Sequence, residues 1–597
     1  MIVPMHKYSF LIFHKEYHSF LEELQQLGVL HVMKKNIEVT GEIKEKYMQL
    51  NQLNKTIRFL QERENPEKIF LFETDGLTLM EEIEEKQNEQ EALDQQLEEL
   101  KKEHQKAKPW GTFSPKTIQK LKEENIVLRY FISSQKKFSE LDAAGLPVIL
   151  VREEGAKIYF IIVQKKNESW EVDADEVTIP GIPFNEIEKE IEKAEQEKAA
   201  IEREFDEYAG SALELLKKIK TELENSLDYD HVVLCTITEA EEKLMILEGW
   251  IPKTKKAEID AFLEKNDVLF VSLKATPKDN APVLLTNNRF TKLFEPIGEM
   301  FSLPDYNELD LTVFFAPFFM LFFGFCLGDA GYGLLFIVGA GLYKFKAPKT
   351  FKPYLSLIQF LGLATIIFGT ISGTFFGINL IETKIPWIEN FKHYFLDPNK
   401  MFNLALVLGG VQIIFGLFIK AANRIKQFGF QFSLAIFGWL IVLLGSGAYV
   451  LLSKIQIISP NKIILYGILA TGGFFILFFS DPEVNILARI GKGIWDVYST
   501  VTGIFGDLLS YIRLFALGLS SAILGFVIND IAMQILGSSK ILGPLFFVVF
   551  LLLGHTLNIL ISSLGSFVHP MRLTFVEFYK NAGFKGGGEE YKPFKSI

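Results

Sequence analysis

The amino-acid sequence predicts an α-helical polytopic membrane domain with eight transmembrane helices, the last two long and tilted. It also predicts a cytoplasmic α/β two-lobed dumbbell built on an antiparallel coiled-coil rod. Three observations carry this. The 597-residue chain has a net charge of −11, yet residues 308–597 hold 21 Lys/Arg against 14 Asp/Glu while residues 1–307 hold 41 against 59. The first part is therefore acidic and Lys/Glu-rich, and the second is basic and rich in Phe, Leu, Ile and Gly. Apolar runs of bilayer length recur through the second part, and heptad-like spacing marks two stretches of the first.

In chain order, residues 1–36 read β-α-β: YSFLIFH, the helical HKEYHSFLEELQQLG, then VLHVM. Residues 228–275 complete the same proximal lobe. HVVLCTIT reads as a strand, EAEEKLMILEG as a helix, WIPKT as a strand, 257–265 as a second helix and DVLFVSLKA as a strand, which suggests a ferredoxin-like closure from two remote pieces. Residues 40–108 and 185–226 form the two arms of the rod, with Ile43, Tyr47, Leu50, Leu53, Ile57 and Leu60 in one and Ile187, Ile191, Ala194, Ile201 and Phe205 in the other. Pro66 and the 66–77 stretch interrupt the first arm. Residues 110–184 read as a distal α/β lobe, residues 276–305 as a linker, 306–580 as the membrane domain and 581–597 as a cytoplasmic tail. The opening residues read as a strand and a helix, not as a cleavable leader.

The membrane runs lie near 311–327, 330–345, 354–378, 403–421, 432–452, 462–480, 497–529 and 541–570. Eight crossings put thirteen Lys/Arg (Lys344, Lys346, Lys349, Lys352, Lys420, Arg424, Lys426, Arg489, Lys492, Lys580, Lys585, Lys592, Lys595) on the side of the N-terminus. Six (Lys384, Lys392, Lys400, Lys454, Lys462, Lys540) face the other side. The positive-inside rule then places both termini in the cytoplasm, and the chain in the cell membrane as a multi-pass protein.

Arg513 interrupts the apolar stretch 506–528. A guanidinium keeps its proton wherever it is put, and a charge at the centre of a span costs about 2.5–3.5 kcal/mol on insertion scales. Such an arginine either serves an ion path with an acidic partner, or snorkels and pairs inside the protein. Helical spacing puts Asp496, Ser499, Gly503, Gly506, Ser510, Arg513 and Ser520 on one face, with Asp507 nearby as a candidate salt-bridge partner. In the last span His555, Asn558, Ser562, Ser566, His569 and Arg572 recur at steps of three or four. Two such stripes line water or an ion path, or glue two helices by hydrogen bonds. Two arginines and two histidines favour the path. The spans offer no evident carboxylate of their own to carry a proton, so that group is expected on another subunit.

Other chemistry is not indicated. Phosphate-loop and strand-linked GxGxxG signatures are lacking, and GKG at 491–493 and GGG at 586–588 lie out of context. Cys235 and Cys326 lie in different halves and give neither a disulfide framework nor a metal spacing. No cofactor is expected, and the acidic half repels nucleic acid.

Five ordered motifs carry a resemblance: LGVLHV (27–32), APVLLTNNRFTKLFEPIGEMFSLPDYNELDLT (281–312), APFFMLFFGFCLGDAGYG (316–333), SYIRLFALGLSSA (510–522) and HPMRLTFVEFYKNAGFKGGGEEYKPF (569–594). The chain resembles subunit a, or subunit I, of V-type and A-type rotary ATPases, over essentially its whole length. The resemblance implies a membrane stator subunit that gives two ion half-channels, for protons or sodium, against a turning proteolipid c-ring. Arg513 and Arg572 match the family's key arginines, with His569 beside the second. Arg513 would face each ring carboxylate and favour its ionised form. Ser499, Asp507, Ser510, Ser520, His555, Asn558, Ser562 and Ser566 would line the half-channels. Ser521 and Ser562 replace a His and a Glu of eukaryotic members, as in a bacterial or archaeal one. The lobes would hold peripheral-stalk heterodimers, and the ATP site would lie on other subunits, beside the central stalk. The readings from other classes are a stand-alone secondary ion transporter with a cytoplasmic scaffold, and a membrane-anchored tether.

Overall fold

The computed structural model describes residues 1–33, 40–63, 75–143, 145–166, 170–179, 181–239, 243–277, 279–380, 397–456, 462–482, 484–538 and 542–596. Pro66 and most of the 66–77 stretch, and Lys384, Lys392 and Lys540 of the charge tally, lie outside them. The elements run β1 (Met5–Phe13), α1 (Tyr17–Leu27), β2 (His31–Val32), α2 (Gly41–Gln61), α3 (Gly76–Ala107), α4 (Pro115–Glu123), β3 (Ile126–Ser134), α5 (Gln135–Ala143), β4 (Val148–Glu154), β5 (Lys157–Lys165), β6 (Asp175–Val177), α6 (Phe184–Cys235), β7 (Ile237–Glu239), β8 (Leu244–Pro252), α7 (Lys256–Lys265), β9 (Leu269–Lys274) and α8 (Glu295–Glu299). There follow α9 (Thr312–Leu327), α10 (Ala330–Lys346), α11 (Lys352–Ser372), a hairpin of β10 (Thr374–Phe375) and β11 (Ile378–Asn379), α12 (Pro398–Phe428), α13 (Leu434–Lys454), α14 (Lys462–Phe478), α15 (Ile486–Ser538), α16 (Leu542–Arg572), a π-helical turn Leu573–Phe578 and α17 (Tyr579–Ala582). The chain divides into two units, Met1–Met33 with Thr236–Phe594, and Lys34–Cys235 with the last three residues.

In the second unit, α2 and α3 both run antiparallel to α6. The buried positions of α6 (Ile187, Ala194, Ile201, Phe205, Ala209, Ala212, Leu216) step by three, four or seven residues, so one stripe stays against its partners. Lys46 pairs with Asp230 and Lys101 with Glu195, which sets the direction of both arms. Where two arms were expected there are three helices: Gly76 opens α3 beside Ile219 of α6, so the chain returns before climbing again. The sheet of this unit is antiparallel in the order β4-β5-β3-β6, with Phe131, Ile158, Phe160 and Ile162 as its core.

The first unit opens with an antiparallel sheet in the order β2-β8-β1-β9, with β7 on β8. Two local expectations fail here. LMILEGWIP is strand β8, because nine consecutive residues pair with β1 while β2 and β7 pair on its other edge. Ladder pairing on two sides outweighs the helix preference of Glu and Leu. HVVLC closes α6 instead of forming a strand, and of these five residues only Val232 is fully buried.

The membrane-like part of this unit follows from composition. Five helices among the described residues are long and apolar enough to cross a membrane: Lys352–Ser372, Pro398–Phe428, Phe430–Lys454, Ile486–Gly537 and Leu542–Ala582. Thr312–Leu327 and Lys462–Phe478 are shorter apolar helices, and Ala330–Lys346, at 17 residues, would reach about 25 Å. The third run stops at Ser372 instead of 378 because Gly373 caps it in the left-handed region. Glycines set how closely α9, α10 and α11 pack. A Cβ on Gly369 would lie 2.1 Å from the backbone N of Ala330, and one on Gly324 would lie 2.5 Å from the carbonyl carbon of Ala364. Gly369→Ala is therefore expected to push α11 off the start of α10 and destabilise the full chain by about 1–3 kcal/mol, read as a lower unfolding temperature in detergent.

Residues 583–594 return to the sheet. Val283 N–H donates to Glu589 O, Tyr591 N–H to Val283 O, and Phe594 N–H to Leu30 O. Glu308, 1% exposed, accepts from the backbone N–H of Lys585 (2.8 Å) and Gly586 (3.2 Å). The glycine run 586–588 makes this return possible. Gly586 and Gly587 take φ of 70° and 86°, and a Cβ on Gly588 would lie 2.0 Å from Pro304 O.

Candidate functional site

α15 is 53 residues long, roughly 80 Å, and Arg513 sits one residue past its middle. Tyr511 fixes the helix's rotation there. Its ring is fully buried against Gly409, which has no side chain to displace it. Its hydroxyl donates to Gln412 Oε1 at 2.6 Å. Two residues further along, Arg513 is half-buried, and its Nη1 has no hydrogen-bond partner among the described residues.

Two polar regions lie along α15 and α16. Toward the lysine-rich end, Asp507 is 7% exposed and accepts from Asn581 Nδ2 at 2.8 Å, with Lys580 Nζ at 3.5 Å. The partners of Asp507 are thus α17 and its first residues, not Arg513. A cavity of about 380 Å³ opens beside them, lined by Lys420, Arg424, Asp481, Lys492, Asp496, Ser499, Lys580 and Asn581. Asp496 accepts from Trp439 Nε1 at 2.9 Å, and Lys492 pairs with Asp481 at 2.7 Å.

Toward the other end, the α16 stripe closes a buried network. Ser562 donates to Asn558 Oδ1 (2.9 Å), and Asn558 Nδ2 donates to the Tyr332 hydroxyl (2.8 Å). That hydroxyl meets His555 Nδ1 (2.7 Å), whose Nε2 meets Asn529 Oδ1 (3.0 Å). Tyr332 is fully buried, and it comes from the GDAGYG turn. Asp329 holds that turn. Its Oδ1 accepts from Gly331, Tyr332 and Phe376 N–H at 2.8, 3.2 and 2.8 Å, and its Oδ2 accepts from Gly377 N–H at 2.7 Å. Asp329 is therefore a structural latch between the start of α10 and the β10–β11 hairpin.

The predicted residues divide accordingly. His555, Asn558 and Ser562 meet in one network. Ser566 (1% exposed) and His569 lie on the same face nearer Arg513, each with a buried side-chain atom lacking a partner, and His569 is within electrostatic reach of Arg513 and Arg572. Ser499 lines the lysine-end cavity, and Asp507 adjoins it through Asn581. Ser520 and Arg572 are exposed, and Ser521, the next residue, is the buried one. Sequence reasoning missed Glu577. It is 2% exposed on the π-helical turn, with Ser510 beside it, Arg513 and Asp507 within electrostatic reach, and a buried Oε2 without a partner among the described residues. The signal was present: the three-and-four spacing of the α16 stripe continues through Pro570 and Leu573 to Glu577, beyond the apparent end of the apolar run. No cluster of three or more His, Cys, Asp or Glu among the described residues could hold a metal ion.

The sequence has matches among known proteins. Residues 154–354 and 501–596 match the model of the V-type ATPase 116 kDa subunit family. The chain belongs to that family. Relatives include a V-type ATP synthase subunit I of Borreliella burgdorferi, 27% identical over 82% of each chain. An A-type ATP synthase subunit I of Methanocaldococcus jannaschii is 26% identical over 78% of this chain and 71% of its own. A V-type ATP synthase subunit I 1 of Treponema pallidum is 24% identical over the whole of both. The solved cytoplasmic N-terminal domain of subunit I, homolog of subunit a of V-ATPase, aligns over 45% of this chain at 15% identity and a TM-score of 0.22, too slight a likeness to argue from. With its apolar helices, this member of the V-type ATPase 116 kDa subunit family is a membrane protein.

Proposed function

We propose that the chain is the membrane stator subunit of a V/A-type rotary ATPase, carrying ion half-channels against a rotating c-ring and anchoring peripheral stalks through its cytoplasmic lobes. The single observation that carries this is the buried, unpartnered guanidinium nitrogen of Arg513 at the middle of α15. Each ring carboxylate would complete it in turn, ionised by the adjacent cation, and the permanent charge of Arg513 would block a direct leak between half-channels. The cavity around Asp496, Ser499 and Lys580 would be the cytoplasmic half-channel, and the His555–Tyr332–Asn558 network would border the other. The helices of the second unit would serve as the strut that resists rotor torque, with peripheral stalks held at the α/β lobes.

Side-specific labelling tests this. In a chain with Cys235 and Cys326 replaced, Ser499→Cys is expected to react with a membrane-impermeant thiol reagent from the side of the N-terminus. Ser562→Cys should react only from the opposite side. Labelling of both from one side would rule out two offset half-channels.

Glu577 lies between Arg513 and Asp507, where an ion leaving the ring toward the cytoplasmic cavity would pass. Glu577→Gln keeps the shape and removes the exchangeable charge. It is expected to lower ATP-driven ion uptake by about tenfold to a hundredfold in complexes that assemble normally, with Glu577→Asp retaining part of the rate. Uptake unchanged in Glu577→Gln would remove Glu577 from the path and leave it a buried structural acid.

A further inference from the structure

A second cleft, of about 470 Å³, lies apart from the ion path, between α8, α9, α10, α11 and α16. Its lining is almost wholly apolar, with Tyr354 and Met300 at one end and Phe323, Phe336, Leu361 and Phe567 beyond. The four long helices contribute from the same end. Leu361 lies nine residues from the start of α11, Phe336 ten from the end of α10, Phe323 eleven from the start of α9, and Phe567 five from the end of α16. At 1.5 Å per residue the cleft reaches about 14–17 Å inward, close to half of a ~30 Å hydrocarbon core. It is as deep as one leaflet.

The rim at that end is basic. The turn joining α10 to α11 carries Lys344, Lys346, Lys349 and Lys352, and none of the four pairs with a carboxylate among the described residues. Lys344 donates to neutral partners, Ser356 Oγ at 2.8 Å and Gln359 Oε1 at 3.4 Å. Lys346, Lys349 and Lys352 are exposed. Tyr343, Phe345, Phe351 and Tyr354, all more than half exposed, interleave with them as an aromatic girdle does at a headgroup layer. Glu299 on α8, next to Met300, is the neighbouring carboxylate, and four lysines outnumber it.

We propose that this cleft holds an acyl chain of an anionic phospholipid whose headgroup phosphate rests against Lys346, Lys349 and Lys352. The positive-inside bias explains lysines in a cytoplasmic turn, but it does not require an apolar cleft of leaflet depth beside them. A free phosphate would use the lysines and leave the cleft without purpose, whereas a neutral lipid would fill the cleft and ignore the charge. A phospholipid with net negative charge uses both. The site is independent of the ion path proposed above.

Native mass spectrometry of the delipidated full chain tests this, with phosphatidylglycerol, phosphatidylcholine or inorganic phosphate added in turn. The unaltered chain is expected to retain one phosphatidylglycerol at least about tenfold more readily than phosphatidylcholine, since each surface lysine contributes roughly a fivefold factor. K346Q/K349Q/K352Q should bind both lipids alike, because these exposed side chains support no packing. Leu361→Trp, which fills the cleft with the lysines intact, should retain neither. Equal retention of the two lipids by the unaltered chain, an undiminished preference in the triple variant, or retention of inorganic phosphate in place of lipid would each overturn the proposal.

Discussion

Arg513→Gln is expected to abolish ATP-driven ion uptake while leaving assembly of the complex intact. Glutamine is two atoms shorter and keeps a hydrogen-bond donor, but it removes the permanent charge. Under the proposed mechanism two things are lost together: the field that keeps each arriving carboxylate ionised, and the barrier between the two polar regions. Loss of one preorganised charge of this kind lowers rates by about 10²–10³-fold. Membrane vesicles carrying the whole complex would show uptake near background, with the partner subunits still recovered by pull-down. Arg513→Lys separates the two effects. It restores charge in a more mobile, more strongly hydrated form, so partial uptake is expected. Normal uptake in Arg513→Gln would make the arginine a structural charge, and the ion-path reading would fall even though family membership stands.

The second large effect is on folding. Asp329→Ala removes one carboxylate that accepts four backbone N–H groups, from Gly331, Tyr332, Phe376 and Gly377, in a site 1% exposed. Each buried donor left without an acceptor costs about 1–3 kcal/mol. Partial relaxation of the hairpin recovers some of this, so a net destabilisation of roughly 3–5 kcal/mol is expected. In detergent that should lower the apparent unfolding temperature by about 2–4 °C for a chain of this length. Asp329→Asn keeps one carbonyl acceptor and turns the other atom into a donor facing Gly377 N–H or its neighbours, so an intermediate loss is expected. If Asp329→Ala unfolds like the unaltered chain but loses ion uptake, the latch assignment is wrong and Asp329 belongs to the path. Because Tyr332 is positioned by this latch and meets both His555 and Asn558, the stability readout must accompany any activity measurement.

Much of this molecule was legible in its sequence, and the reason is period. Apolar runs of fixed length and the three-and-four spacing of the α16 stripe report directly on helices. So does the stepping of Ile187, Ala194, Ile201 and Phe205 along α6. Such patterns are local, and α-helices satisfy their backbone hydrogen bonds locally. Errors fell where a partner remote in sequence decided the structure. LMILEG reads as the end of a helix in isolation and instead joins WIP in the central strand β8, because β1, more than 230 residues away, pairs along its whole length. The first arm of the rod reads as one interrupted helix, but α3 restarts beside Ile219.

The site shows the same division. The sequence by itself determined that Arg513 is a permanent charge in an apolar stretch, because a guanidinium cannot neutralise itself. It also determined the polar face of α16, since spacing alone assigns residues to a face. Only the tertiary structure decided which polar groups meet. Asp507 belongs to Asn581 and Lys580 rather than to Arg513. Ser521 is inside while Ser520 is outside. Glu577 joins the Arg513 neighbourhood from a π-helical turn beyond the apparent end of its span. Pairing of this kind depends on helix rotation and on approach distances set by glycines such as Gly409 and Gly369. Those are properties of packed surfaces, which no single segment encodes.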